Sequence, residues 1–378
     1  MTEPLVILAA GGTGGHMFPA EALARALIAR HVRVALITDQ RGQAFGDNLT
    51  SVEVYRIRAS RLPRHTIDRL RAVIEMGLGG LEARSLLGKL NPALVVGFGG
   101  YPSIPTVLAA SLRKIPIVLH EQNALLGRAN RRLASRARTI ATSFESVAGV
   151  PAGRRTTLIG NPVRSDIIHV RAEPYIPPTT DGPFSILVTG GSQGARILSE
   201  VVPSAAAMLP PSLKARLKIV QQCRQEDISD VAAQYSAAGV DAELATFFAD
   251  IPARLAACHL AITRSGASTV SELGVAGRPA ILIPYPFATD DHQTSNAEAF
   301  TQRGAGWVIS QRILTPKFLA DRIAALASRP DTLARAAEAA RQEGRPDAAE
   351  RFAELVIAEI AAHPVLPPIR TSIKEIAA

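Results

Sequence analysis

The sequence predicts an α/β protein of two lobes, each built on a parallel sheet, and three observations carry that expectation. Short apolar runs alternate with helical patterns along most of the chain, the rhythm of parallel strands covered on both faces by helices. Two glycine-rich turns, at 11–15 and 190–194, each follow an apolar run and open a helical stretch. A length of 378 residues exceeds one comfortable core and suits two domains of ordinary size.

In order, the first half offers strands at Leu5–Ala10, Val32–Thr38, Val52–Ile57, Leu94–Phe98, Ile117–His120, Thr139–Thr142 and Thr157–Ile159. Helical stretches lie between them, notably Pro19–Arg30, Thr66–Leu90 and Ile104–Arg113. The stretch Pro162–Pro183 is rich in proline and poor in periodicity, which places the inter-lobe linker there. Strands follow at Ile186–Thr189, Leu217–Gln221, Ala242–Phe247, Leu260–Thr263 and Ala280–Ile283. Beyond Trp307 the chain is alanine-rich and helical through Ile360, and these last helices are expected to fold back on the first lobe. No repeat of solenoid period is present.

Hydrophobic residues make up 47% and charged residues 20%, a globular and not a disordered composition. No signal-peptide pattern is expected from Met1-Thr2-Glu3-Pro4. The long uncharged stretch Asn91–Leu112 is broken by glycines and prolines, so it reads as strand plus loop and not as a membrane span. Two cysteines, Cys223 and Cys258, have no metal-like spacing and read as buried thiols in a reducing compartment. The net charge of +9 is uneven: residues 1–163 hold 21 Lys+Arg against 10 Asp+Glu, and residues 164–378 hold 21 against 23. The basic excess of the first half points to an anionic partner, whether nucleic acid, acidic lipid or phosphorylated substrate; the alternative is a solvated basic surface.

Strand, glycine turn and helix together aim free N–H groups at an anion. The first turn fits the dinucleotide fingerprint only when forced, with Asp39 as the one acidic residue placed for a ribose. His16 stands at the helix start, where the dipole favours the neutral, base-competent imidazole; the alternative is a helix cap. At the end of the fifth strand lies His120-Glu121-Gln122-Asn123, beside the turn Gly97-Phe98-Gly99-Gly100-Tyr101, and Asn123 is the best ligand hydrogen-bonder of the group. Ser192 in the second glycine turn and Arg164 where the lobes join suit a phosphate. Glu272, within Ala267-Ser268-Thr269-Val270-Ser271-Glu272, is placed for two vicinal ribose hydroxyls. Gln293 and Asn296 follow Asp290-Asp291, and amides suit sugar hydroxyls because they donate and accept at once. No Asp-x-Asp occurs, so a diphosphate would be neutralised without a metal.

Seven motifs in order, GGTGGH (11–16), GFGGYPS (97–103), HEQN (120–123), GNPVR (160–164), GGSQGAR (190–196), RSGASTVSE (264–272) and DDHQ (290–293), resemble the family 28 glycosyltransferases of the bacterial cell wall. The resemblance covers nearly the whole chain. It implies a GT-B fold of two Rossmann-like lobes facing across a cleft. The first lobe, 1–163, would take the acceptor and the membrane, with a helix at about 350–378 packed back on it, and the second, 164–349, the UDP-sugar. The implied reaction is inverting transfer of N-acetylglucosamine from UDP-N-acetylglucosamine to the 4-hydroxyl of the undecaprenyl-diphosphate-linked muramyl-pentapeptide, with no metal or other cofactor. Carried over, Thr13, Gly14 and Gly15 would line the donor sugar and acceptor side, and Asn123 the donor site. Arg164 and Ser192 would meet the diphosphate, the backbone of Ile251 the uracil, Ala267 through Glu272 the nucleoside, and Gln293 with Asn296 the sugar; His16 would be the base. The family also implies peripheral attachment to an anionic membrane, at the cytoplasmic face of the inner membrane, with cell-wall synthesis and division proteins as partners and no nucleic acid. Ile67, Leu70, Val73, Ile74, Leu78 and Leu81, flanked by Arg61, Arg64, Arg69 and Arg71, recur at roughly helical spacing and suit a bilayer surface; the alternative is a stripe packed on the sheet, and attachment is expected from the charge of the lobe and not from any one of these residues. Rival readings are a UDP-N-acetylglucosamine 2-epimerase, which would need a further cleft carboxylate such as Glu121, and a membrane scaffold that has kept a nucleotide site.

Overall fold

The computed structural model describes residues 3–11, 14–40, 49, 52–60, 66–191 and 194–363. Thr13, Ser192, Arg61, Arg64 and the proline-broken tail lie outside the described residues.

Seven strands form the first sheet: β1 (Leu5–Ala9), β2 (Arg33–Asp39), β3 (Glu53–Ile57), β4 (Leu94–Gly97), β5 (Ile117–Glu121), β6 (Thr139–Thr142) and β7 (Arg155–Leu158). Their spatial order is β3-β2-β1-β4-β5-β6-β7, and every pairing is parallel. β1 and β4 are buried along their whole length, as central strands covered on both faces must be, and this is why they read as unbroken apolar runs. The covering helices of this half are α1 (Gly14–Ile28), α2 (Thr66–Leu90), α3 (Gly100–Leu112) and α4 (Arg128–Leu133).

After α5 (Ser165–Val170) the second sheet begins: β8 (Phe184–Thr189), β9 (Leu217–Gln222), β10 (Asp241–Ala245), β11 (Leu260–Thr263), β12 (Ala280–Leu282) and β13 (Gly306–Val308). Its order is β10-β9-β8-β11-β12-β13, again parallel throughout. Its helices are α6 (Arg196–Ala207), α7 (Pro211–Lys214), α8 (Ile228–Ala238), α9 (Ile251–Ala257), α10 (Ala267–Ala276), α11 (His292–Thr301), α12 (Pro316–Ala327) and α13 (Pro330–Glu343). The chain then returns: α14 (Ala348–Ala361) packs on α1 and buries Phe352, Ala353 and Val356 among Leu23, Leu27 and Phe98.

Three departures from the sequence reading have physical causes. α1 starts at Gly14, five residues before the expected Pro19, which now lies inside the helix. Proline there forfeits one intrahelical bond, and the exposed Gly15 leaves the freed carbonyl to solvent. The shift puts His16 in the first helical turn. The expected linker contains α5, whose Ile167 and Val170 are buried against Leu255 and Leu273; a pair at i, i+3 is too short a period to read from sequence. β13 has three residues, and Gly306 lies so close to β12 that a Cβ would fall 2.3 Å from the Ala280 carbonyl oxygen.

Candidate active site

Both sheets end their strands toward a cavity of about 400 Å3 between the lobes. The first half lines it with His16, Gly99, Gly100 and the segment from Glu121 to Asn130, and the second half with Thr289, Asp290 and His292. Open parallel sheets hold ligands at this edge.

His16 lies against the loop that follows β4. Gly99 and Gly100 have φ of 82° and 70°, and a Cβ on Gly100 would sit 3.4 Å from the imidazole Nε2. Glycine therefore serves here both for conformation and for close approach. The His16 Nδ1 is buried without a hydrogen-bond partner. Burial lowers its pKa, and the Glu121 charge, the Phe98 carbonyl and the Gln122 side chain oppose the shift without cancelling it. The imidazole is thus neutral near pH 7, as a general base requires.

Behind it, His120 is fully buried and sits between Phe98 and Phe352, with ring centroids 5.6 and 5.0 Å away. Burial drives its pKa down to about 3. Gln122 Nε2 donates to the Phe98 carbonyl and to His120 Nδ1, at 3.0 and 3.1 Å, which leaves the His120 proton on Nε2, facing Ser143 Oγ at 3.4 Å.

Glu121, 1% exposed, is enclosed by donors. Its Oε1 accepts from the Asn123 backbone N–H and side-chain Nδ2, and its Oε2 from the Gly127 N–H and Asn130 Nδ2. Four donors hold this carboxylate to the loop it shapes, so the acid/base role that the epimerase reading needs has no free oxygen face. Asn123 is aimed by that carboxylate, and its Oδ1 accepts from Asn296 Nδ2 at 3.1 Å. Asn296 is fully buried, donates also to the Ser265 carbonyl, and accepts from the Ala124 N–H at 2.8 Å. It thereby joins the two halves across the cleft, with both its amide hydrogens engaged.

Gln293 turns its Oε1 to the backbone N–H groups of Ser265 and Tyr285, at 3.3 and 3.0 Å, and so ties α11 to the loop before α10. Arg164 pairs with Glu272, Nη2 to Oε1 at 3.2 Å. Burial raises the Glu272 pKa against the pull of that guanidinium. Ala267 through Glu272 form the first turns of α10, whose N-cap Gly266 offers no side-chain acceptor, so the first N–H groups are available to an anion. Ile251 opens α9 and packs against the buried cluster that includes Val270 and Leu273. The second glycine turn runs through Gly191 and Gly194, with φ of 81° and 68°. Among the described residues, no group of three His, Cys, Asp or Glu side chains is placed to hold a metal ion.

Sequence reasoning missed several contributors. Arg264, 8% exposed, donates to the Ile283 and Pro284 carbonyls and lies over Tyr285. Arg128 Nε meets both oxygens of Asp290 at 3.0 Å across the cleft. Asn130 and Phe352 complete the supports of Glu121 and His120. Phe352 and Asp290 meet their partners more than 150 residues away, and Asn130 reaches Glu121 nine positions back, so no helical or strand period could pair them.

Residues 6–142 match the glycosyltransferase family 28 N-terminal domain, and residues 185–352 the family 28 C-terminal domain. The chain is 54% identical over 359 residues to a UDP-N-acetylglucosamine--N-acetylmuramyl-(pentapeptide) pyrophosphoryl-undecaprenol N-acetylglucosamine transferase of Rhodospirillum centenum, covering 94% of this chain and 95% of that protein. It is 53% identical to the protein of the same name from Paramagnetospirillum magneticum, covering 94% and 96%. The crystal structure of Acinetobacter baumannii MurG superposes with a TM-score of 0.76 at 31% identity, covering 94% of this chain and 99% of that one. A UDP-GlcNAc 2-epimerase from Neisseria meningitidis, at 15% identity and a TM-score of 0.65, shares the fold.

Proposed function

The chain belongs to glycosyltransferase family 28, and from that premise we propose that it transfers N-acetylglucosamine from UDP-N-acetylglucosamine to the muramyl 4-hydroxyl of the undecaprenyl-diphosphate-linked muramyl-pentapeptide, with inversion at the anomeric carbon. The observation that carries this is 54% identity, over 94% of the chain, to a relative named for that transfer.

In this reading residues 1–163 form the acceptor and membrane lobe, 164–349 the donor lobe, and α14 a strap returning to the first. The UDP diphosphate lies at the start of α10, with Arg164, Ser192 and the amides of the second glycine turn, and the ribose at Glu272. The uracil meets the backbone at Ile251. Thr13, Gly14 and Gly15 face the sugar and acceptor with Asn123 and Gln293. His16 takes the proton from the attacking hydroxyl, and UDP departs in line on the opposite side of the sugar carbon. Amide dipoles and one guanidinium fixed in place, with no divalent cation, are the largest contribution, because they need no reorganisation as charge moves onto the leaving group. Holding two large substrates between lobes supplies much of the rest.

α2 presents Leu70, Val73, Ile74 and Leu81, each more than half exposed, next to Arg69 and Arg71, which are also exposed. No described helix is long and apolar enough to cross a membrane. An apolar stripe with a basic rim suits an anionic bilayer surface, on the side where the lipid-linked acceptor is presented; we place the protein peripherally at the cytoplasmic face of the inner membrane, beside cell-wall synthesis and division proteins.

The test is incubation with radiolabelled UDP-N-acetylglucosamine and lipid-linked muramyl-pentapeptide, with and without chelator. Label is expected in the organic phase in both. No label with folded protein contradicts the transfer, and loss of label on chelation contradicts the metal-free diphosphate site.

A further inference from the structure

Asp39 stands where a dinucleotide-binding lobe meets its ribose, and the proposed transfer gives it no part. It ends β2 and is buried, 2% exposed. One carboxylate oxygen, Oδ2, accepts from the Tyr101 hydroxyl at 2.8 Å, 62 positions along the chain. The other faces the first glycine turn: a Cβ on Gly11 would fall 3.1 Å from Oδ1, 2.7 Å from Thr38 Oγ1 and 3.0 Å from Pro102 Cβ. A phenol thus stands in for a ribose hydroxyl, and Gly11 is wedged between the end of β2 and the start of α3.

Tyr101 lies in the first turn of α3 and lines the same cavity as His16. It directly follows Gly99 and Gly100, whose left-handed backbones wrap the imidazole. A Cβ on Gly99 or Gly100 would lie 3.6 or 3.4 Å from the nearest atom of the His16 ring. Because the His16 Nδ1 makes no hydrogen bond, packing against this turn, and not a bond at that nitrogen, aims the ring. Two glycines in succession leave a turn soft. A hydroxyl donating to a buried carboxylate makes a short, charge-assisted bond, which can pin it. We propose, on the general-base role inferred for His16, that Asp39 and Tyr101 are positioning residues: their bond fixes the turn 99–101, and that turn sets where the imidazole meets the attacking hydroxyl.

The test uses Tyr101→Phe, which removes only the hydroxyl, Asp39→Ala, and Asp39→Asn, which keeps an acceptor in nearly the same shape. Thermal transitions check the fold of each, and Tyr101→Phe decides should Asp39→Ala fail to fold. Tyr101→Phe and Asp39→Ala should lower kcat by roughly 10- to 100-fold, with the KM for UDP-N-acetylglucosamine within about twofold of its original value. Asp39→Asn should retain most of the rate. In a His16→Ala background Tyr101→Phe should slow transfer no further, because a residue that acts only through the imidazole then has nothing to aim. Hydrogen exchange at the amides of 99–101 should be about tenfold faster in Tyr101→Phe. An unaltered kcat in folded Tyr101→Phe overturns the proposal, as does a full additional loss in the His16→Ala background or unchanged exchange. Should even the unaltered protein transfer no label to lipid while the exchange responds as expected, the transferase reading fails and the hold on the turn stands.

Discussion

His120 links the site to the stability of the whole first half. Its folded pKa of about 3 lies far below the ordinary histidine value, so between pH 6.5 and 3 the unfolded chain takes up a proton there that the folded chain refuses. The stability this confers is present above 6.5 and is lost as pH falls through that window, at up to ~1.4 kcal/mol per pH unit. His120→Leu should flatten the dependence by that increment, whatever its absolute stability, in urea unfolding followed across the range; an unaltered slope contradicts the neutral, buried imidazole. At this scale the sequence was legible where a proposed role rests on a local motif. His16 beside its glycines, Asn123 at a strand end and Glu272 on a helix after a glycine could each be found in the chain. The supports could not, because a carboxylate held by Asn123, Gly127 and Asn130 looks in sequence like any acidic residue near a cleft.

Among the elements, the buried parallel strands were the most readable, since two covered faces leave a continuous apolar run. β6 and β11 have the expected limits, Thr139–Thr142 and Leu260–Thr263. α2 also runs over the expected Thr66–Leu90, yet its apolar positions divide. Ala72, Ala83 and Leu87 are buried, while Leu70, Val73, Ile74 and Leu81 face outward. Helical spacing alone cannot tell a face that packs on a sheet from one that meets a bilayer. Because Leu70 and Leu81 are exposed, Leu70→Asp with Leu81→Asp should leave the thermal transition nearly unchanged. The same pair should weaken binding to anionic vesicles at least tenfold in a sedimentation assay, since each buried leucine contributes about 1.5–3 kcal/mol. Equal binding would locate the membrane contact elsewhere.

Across the whole molecule the two halves meet through polar contacts of unequal weight. Asp290 reaches Arg128 at the cleft rim from a left-handed backbone, φ 55°, and an exposed pair of this kind is worth about 0–1 kcal/mol. Asn296 bridges in the dry interior, where its removal strands the Ala124 N–H and the Ser265 carbonyl at about 1–3 kcal/mol. If these contacts hold the lobes closed on the donor, Asn296→Ala should raise the KM for UDP-N-acetylglucosamine by roughly 10- to 100-fold, and Asp290→Ala by a few-fold at most; the opposite order would make the rim the true latch. Neither bridge was visible in the sequence, whereas the return of the last helices to the first lobe was expected there. The return of α14 to α1 rests on an alanine-rich apolar face whose partner lies more than 300 positions earlier in the chain.

Single-turnover transfer by His16→Ala, with its donor affinity measured in parallel, tests the proposed role of a neutral His16 in taking the acceptor proton between the lobes. Loss of the general base should slow label transfer to the lipid acceptor by about 10²- to 10⁴-fold while UDP-N-acetylglucosamine still binds as tightly as to the unaltered protein. A variant that transfers at the original rate would contradict that assignment.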